Sequence, residues 1–217
     1  MGAYRWRRFD RTQGGSLYLD ESDACLYYMD KTSGRPSDSE PNQLIYNLKI
    51  SPVDMTDAQR RAGFKDKAIR RCADDIADLL EHWATVTPEN TILVPIPPSK
   101  PVGTRGYDNR MTLVCERVQA KTRIRCIDCL STKTDIGAMH EGEFGRDVER
   151  LRQNTAFDPG MIPDGIRNVL LVDDQLTKGT HFKAVKPMFV ELGYAVAGVF
   201  WAKEHFKGVE YGWWYAI

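Results

Sequence analysis

The sequence predicts an α/β fold, a parallel sheet covered on both faces by helices. From Thr91 onward, short apolar runs alternate with stretches of helical periodicity. One of those runs, Val169 to Val172, is apolar throughout, as a strand buried on both faces must be. Ahead of them, apolar residues recur at three- and four-residue steps over enough length to form a helix that covers a sheet. With 217 residues, 42% of them hydrophobic, the chain can bury one core of ordinary size and a small added lobe.

Taken in order, residues 1–50 alternate polar and apolar side chains in short bursts, Ser16 to Asp20 and Cys25 to Met29, which predicts a few antiparallel strands. Between Lys31 and Pro41 the chain is dense in turn formers with nothing to pack, which predicts a mobile loop. Thr56 is a helix cap, and Ala68, Ile69, Cys72, Ala73, Ile76, Leu79, Leu80 and Trp83 form the apolar face of one long helix behind it. Its opposite face, with Arg70, Arg71, Asp74, Asp75 and Asp78, reads as a solvated charged surface. There follow a strand Thr91 to Ile96, a helix Asp108 to Ala120, strands Arg123 to Leu130 and Asn168 to Val172, a helix Thr180 to Leu192, and a strand Tyr194 to Trp201. The aromatic stretch Gly208 to Ile217 is a candidate final strand. Chemistry on such a sheet belongs at the carboxyl ends of the strands, so the loops after Ile96, Leu130 and Val172 are where a site is expected.

Composition excludes some functions. Acidic and basic residues balance at 30 each, so no overall field holds the molecule on nucleic acid or an anionic membrane. No apolar run reaches the roughly 18 to 20 residues that span a bilayer, and Tyr4 to Arg8 lacks the apolar stretch of a secretion signal. Five scattered cysteines, an odd count, suit a reducing compartment, and the expected location is the cytoplasm. Cys126 and Cys129 are close in sequence, but a zinc site needs two further ligands at matching spacing. His82, His140, His181 and His205 share no ligand-like spacing, and the bland reading has the two cysteines lining a strand end.

The segment with most chemical content is Asn168 to His181, a buried strand ending in Asp173 and Asp174 and followed at once by Thr177-Lys-Gly-Thr180 at a helix start. Two acids there can simply cap the next helix. A response-regulator receiver needs more chain after the acids than the roughly forty residues that follow, and a nucleotide P-loop needs glycine where Asp174 stands. A helix amino terminus behind a glycine turn does suit a phosphate, because successive backbone N–H groups form a concave anion site.

This segment resembles the sugar-phosphate loop of type I phosphoribosyltransferases, an apolar strand, two aspartates, two residues, then a threonine- and glycine-rich turn. The resemblance extends along residues 44–203 in order. Val94-Pro-Ile-Pro97 and Arg105-Gly-Tyr-Asp-Asn109 are similar to the strand and the Arg-Gly-Phe-Asn-Gln box of the ComF-like, amidophosphoribosyltransferase-like branch. Leu48-Lys49 resembles its leucine-lysine pair ahead of the long helix, and Asn154 with Ala156-Phe157 its Arg-x-x-Asn-x-x-x-Phe segment. The chain departs from the branch in lacking an amino-terminal zinc ribbon, and in carrying Lys178 and His181 where the family has threonines.

The resemblance implies a type I phosphoribosyltransferase fold, divided into amino-terminal strands forming part of a hood (1–55), a core (56–207) and a carboxyl-terminal strand or tail (208–217). It implies transfer of a phosphoribosyl group from phosphoribosyl pyrophosphate, with magnesium, to an unidentified base or amine and release of pyrophosphate. A catalytically weak protein that binds phosphoribosyl pyrophosphate or a nucleotide as a sensor, or acts through partners in DNA uptake, is the rival. Asp173 and Asp174 would be the catalytic pair, facing solvent and holding the ribose hydroxyls directly or through magnesium. Gln175, Leu176, Thr177, Lys178, Gly179, Thr180 and His181 would bind the 5-phosphate, and Pro98, Ser99, Lys100 and Arg105 would face the pyrophosphate. The stretch Ser131 to Arg152 lies where such enzymes carry a lid, with Lys133, Arg146 and Arg152 as its cations. The hood and the aromatics Trp213, Trp214 and Tyr215 would choose the acceptor, and the resemblance also admits a homodimer.

Overall fold

The structure, a computed structural model, describes residues 5–10, 18–135 and 148–205. The expectations for Arg146, for most of the lid and for the aromatic tail lie outside the described residues.

The expected α/β architecture is present. Six strands, β1 (Arg7–Arg8), β2 (Cys25–Thr32), β3 (Thr91–Pro95), β4 (Arg125–Cys126), β7 (Asn168–Leu176) and β8 (Ala195–His205), form one sheet in the order β1-β2-β8-β7-β3-β4. All neighbours run parallel except β1 against β2. Two further strands, β5 (Leu130–Thr132) and β6 (Thr155–Phe157), pair antiparallel as a separate hairpin.

Side chains on successive residues of β7 point to opposite faces, so its apolar run feeds two cores. Leu170 and Val172 pack with α1 (Glu40–Lys49), α3 (Phe64–Glu81) and α4 (Arg110–Thr122) on one face. Val169 and Leu171 pack with α5 (Val148–Asn154) and α6 (Thr180–Val190) on the other, through Leu151, Phe182 and Phe189. In α3 the buried residues Ala68, Ile69, Cys72, Ala73, Ile76, Ala77 and Leu80 follow the helical period read from the sequence, and Leu79 and Trp83 pack at the rim of that core.

Four expectations are corrected. Thr56 does cap a helix, accepting from the Gln59 amide, but that helix is the short α2 (Asp57–Ala62). Gly63, at φ 62°, turns the chain left-handed before α3 begins, and a residue with a Cβ would resist that turn. The segment 31–41 is not an unanchored loop: Ser39 caps α1, and the buried Asn42 accepts from the Thr32 amide at 3.1 Å and donates to the Arg35 carbonyl at 3.0 Å. Residues 25–32 do pair antiparallel with β1 on one edge, but on the other they run parallel to β8 within the main sheet. The single strand expected over 123–130 is two, because Arg123 ends α4 at φ 64° and the chain leaves the sheet after pairing at β4.

The connections leaving β3 and β7 travel in opposite directions, β3 toward β4 and β7 toward β8. These adjacent strands are therefore the topological switch point, where such a sheet opens a crevice at its carboxyl edge.

Candidate functional site

A cavity occupies that crevice. It is lined by the end of β3 and the following loop to Lys100, by Tyr107 to Thr112 at the start of α4, by Asp128 and the first strand of the hairpin, and by Asp173, Asp174, Gln175, Thr177 and His181. Lys49, the last residue of α1, reaches it from the side.

The two acids differ. Asp174 is 3% exposed, and both its carboxylate oxygens are engaged: Oδ1 lies 3.0 Å from Lys49 Nζ, and Oδ2 accepts from Arg110 Nε at 2.8 Å and pairs with its NH2 at 2.7 Å. Arg110 also donates to Asp108 Oδ2 at 2.9 Å, and Asp108 is held in turn by Lys65 at 2.8 Å. Asp173, whose side chain is 14% exposed, accepts the Asp174 amide on Oδ1 at 2.7 Å and keeps Oδ2 4.0 Å from His181 Nδ1.

Burial pushes the Asp173 carboxyl well above the usual carboxylate range, and the adjacent charge of Asp174 adds to the effect. Burial also lifts Asp174, but Arg110 and Lys49 outweigh it and hold that carboxyl low. Across the cavity, burial raises Asp128, against the hydrogen bond donated by Thr112 Oγ1 at 3.1 Å.

The strand-to-helix turn follows directly. Gly179, at φ 78°, opens α6, whose first-turn amides have no acceptor inside the helix. Of the residues expected to bind the 5-phosphate, Gln175, Thr177 and His181 line the cavity. Leu176 is buried in the core, Thr180 is buried under the helix start, and the Lys178 side chain is exposed while its carbonyl accepts from the Tyr18 amide at 3.1 Å. Gln175 accepts from Lys49 Nζ at 3.2 Å and donates to Glu204.

Pro98, Ser99 and Lys100 line the cavity, and Thr132 of the hairpin donates to the Pro98 carbonyl at 2.6 Å. Arg105 does not: it is exposed, and its carbonyl accepts from Lys100 Nζ at 3.3 Å. Neither do the described lid cations. Lys133 donates to the Gln153 carbonyl at 2.7 Å, and Arg152 pairs with Glu191, at the end of α6, at 2.7 Å.

Lys49, Asp108, Arg110, Thr112 and Asp128 were not among the sequence's candidates for the site. Lys49 and Asp108 lie inside motifs that carry the resemblance, and Arg110 directly follows one, so the motif edges held the available signal.

Magnesium coordinated by the acid pair does not fit these residues. Both oxygens of Asp174 already face cations, and Asp173 accepts a backbone amide. Among the described residues no group of three or more His, Cys, Asp or Glu side chains is arranged to hold a metal. Nor, among them, is any helix long and apolar enough to cross a membrane.

No protein-family model matches the chain, and no curated protein matches it. Among solved structures it is similar to the adenine phosphoribosyltransferase of Leishmania tarentolae, with a TM-score of 0.36 and 13% identity over 82% of this chain and 91% of that one.

Proposed function

We propose that the chain is a phosphoribosyltransferase that takes phosphoribosyl pyrophosphate and passes its phosphoribosyl group to a base or amine, releasing pyrophosphate. One observation carries this reading: the acid pair, the α6 turn and the loop after β3 line a single cavity at the switch point of the sheet. The α6 amides would take the 5-phosphate, Asp173 would face the ribose hydroxyls, and Ser99 with Lys100 would face the departing diphosphate. As the bond from the anomeric carbon to oxygen breaks, the electron pair leaves with the diphosphate and positive charge grows on the ring. The Asp173 carboxylate would face that charge, and the walls of the crevice would limit the approach of water to it. Magnesium belongs to this reading as a counter-ion of the diphosphate, not as a ligand of the acid pair. The ComF-like branch rests on the Val94 to Pro97 and Arg105 to Asn109 motifs.

A second reading, a sensor that binds phosphoribosyl pyrophosphate or a nucleotide without turnover, is favoured by the neutralisation of Asp174, which leaves one carboxylate to face the sugar. A pyrophosphate-release assay over nucleobases and small amines, run beside calorimetry with phosphoribosyl pyrophosphate, separates the two. Release with any acceptor supports the transferase; binding without release supports the sensor; neither binding nor release removes both.

A further inference from the structure

In the network below the cavity the cations at least match the carboxylates. Lys49, Lys65 and Arg110 stand among Asp108, Asp173 and Asp174, three cations with three carboxylates, joined through contacts of 2.7 to 3.0 Å. Asp108 and Asp174 are both nearly inaccessible, so a dication added at the pair would be an uncompensated charge in a poorly solvated place.

Lys49 is also fixed where it is. Lys65 Nζ donates to the carbonyls of Leu48 at 3.0 Å and Ile50 at 2.8 Å, the residues on either side of Lys49, so the end of α1 is clamped from below. The ammonium then bridges Asp174 Oδ1 and Gln175 Oε1, two oxygens of the strand end that leads into the α6 turn. The ammonium thus already supplies positive charge to Asp174 and Gln175, the strand-end oxygens next to the α6 turn.

We propose that Lys49, with Arg110, takes the place of a divalent cation at Asp173 and Asp174, so that this chain holds its ligand without a metal on the acid pair. The statement about the ligand rests on the reading of the cavity as a sugar-phosphate site; the statement about the metal rests on the network alone, and the test treats them apart.

The metal statement is tested with Mn2+ alone, followed by its electron paramagnetic resonance signal. The parent chain should show no saturable binding at the pair, whereas Lys49→Met should gain affinity by about tenfold or more, since one cation a few ångströms away has been removed. Asp174→Asn in the Lys49→Met background should abolish the gain. Lys49 is 39% exposed, so the variant should fold; Lys49→Gln, which keeps a polar head, gives the same comparison if it does not. Saturable Mn2+ binding by the parent that Asp174→Asn removes would overturn the proposal, as would Lys49 variants that fold and gain nothing.

The ligand statement is tested by calorimetry with ribose 5-phosphate, in chelator and in magnesium. Equal affinity in both buffers is expected, and binding confined to magnesium overturns it. Absence of binding in both would remove the sugar-phosphate reading and the ligand statement with it, while the Mn2+ result would stand.

Discussion

Arg110 grips Asp174 and Asp108 at once, with Nε and NH2 on one carboxylate at 2.8 and 2.7 Å and NH1 on the other at 2.9 Å. The guanidinium thus ties the start of α4 to the end of β7, two elements that line the cavity. An acid so held differs in kind from one that faces solvent, and the first prediction follows from that difference.

Asp174→Asn leaves Arg110, and in part Lys49, without their shared buried carboxylate. Breaking a buried pair from one side costs about 3–5 kcal/mol, so its urea midpoint should fall steeply. Asp173→Asn, at a half-buried residue that accepts a backbone amide, should change the midpoint little. Equal effects of the two substitutions would contradict the division of roles.

Gly198 lies in β8, and a Cβ there would stand 2.6 Å from the Phe200 ring, 3.0 Å from Phe182 and 3.1 Å from Cys25 Sγ. Gly198→Ala should destabilise the chain by about 1–3 kcal/mol through overpacking. Adding Phe200→Leu, which clears the closest contact, should recover part of that loss relative to the Phe200→Leu single variant. Additive effects in thermal melts would mean that the strand shifts to make room.

The strand β7, its acid pair and the turn at Gly179 were legible because each is written in consecutive residues: an apolar run, two acids, a glycine before a helix. The apolar face of α3 was legible for the same reason. Strand direction was not, since alternation in Cys25 to Met29 is the same for a parallel and an antiparallel neighbour. The ionic partners of Asp174 were hidden because Lys49, Arg110 and Asp174 come from three separate elements that meet only through the sheet order. The reading of Asp174 as solvent-facing, like Asp173, came from that gap.

Asp23 carries a pH prediction away from the cavity. Its buried carboxylate accepts from Lys186 at 2.6 Å and from Lys183 at 2.9 Å, tying residues 18–24 to α6. Burial raises its pKa, but the lysines and the Asp20 amide prevail and the net shift is downward. A depressed carboxyl contributes stability that is present above its unfolded pKa of about 4 and is lost as pH falls through the folded value. Stability should therefore decline below about pH 4, and Asp23→Asn, less stable at neutral pH, should show a shallower decline. Parallel pH profiles from urea titrations would rule this out.

The turn at Gly179 gives the last prediction, and Lys178 and His181 on either side of it should behave differently. His181 lines the cavity at the second position of α6, 4.0 Å from Asp173, whereas the Lys178 side chain is exposed outside the lining. If an anion sits on the α6 amides, His181 is within reach of it and the Lys178 ammonium acts through solvent. His181→Ala should weaken ribose 5-phosphate binding several-fold, consistent with one hydrogen bond worth about 0.5–1.5 kcal/mol. Lys178→Ala should change it by less than about twofold at physiological ionic strength, where a solvated charge is screened. Calorimetry on the two variants decides between this arrangement and its converse. A larger loss from Lys178→Ala would mean that the anion lies outside the cavity, on the solvent side of the turn, and the 5-phosphate assignment would move with it.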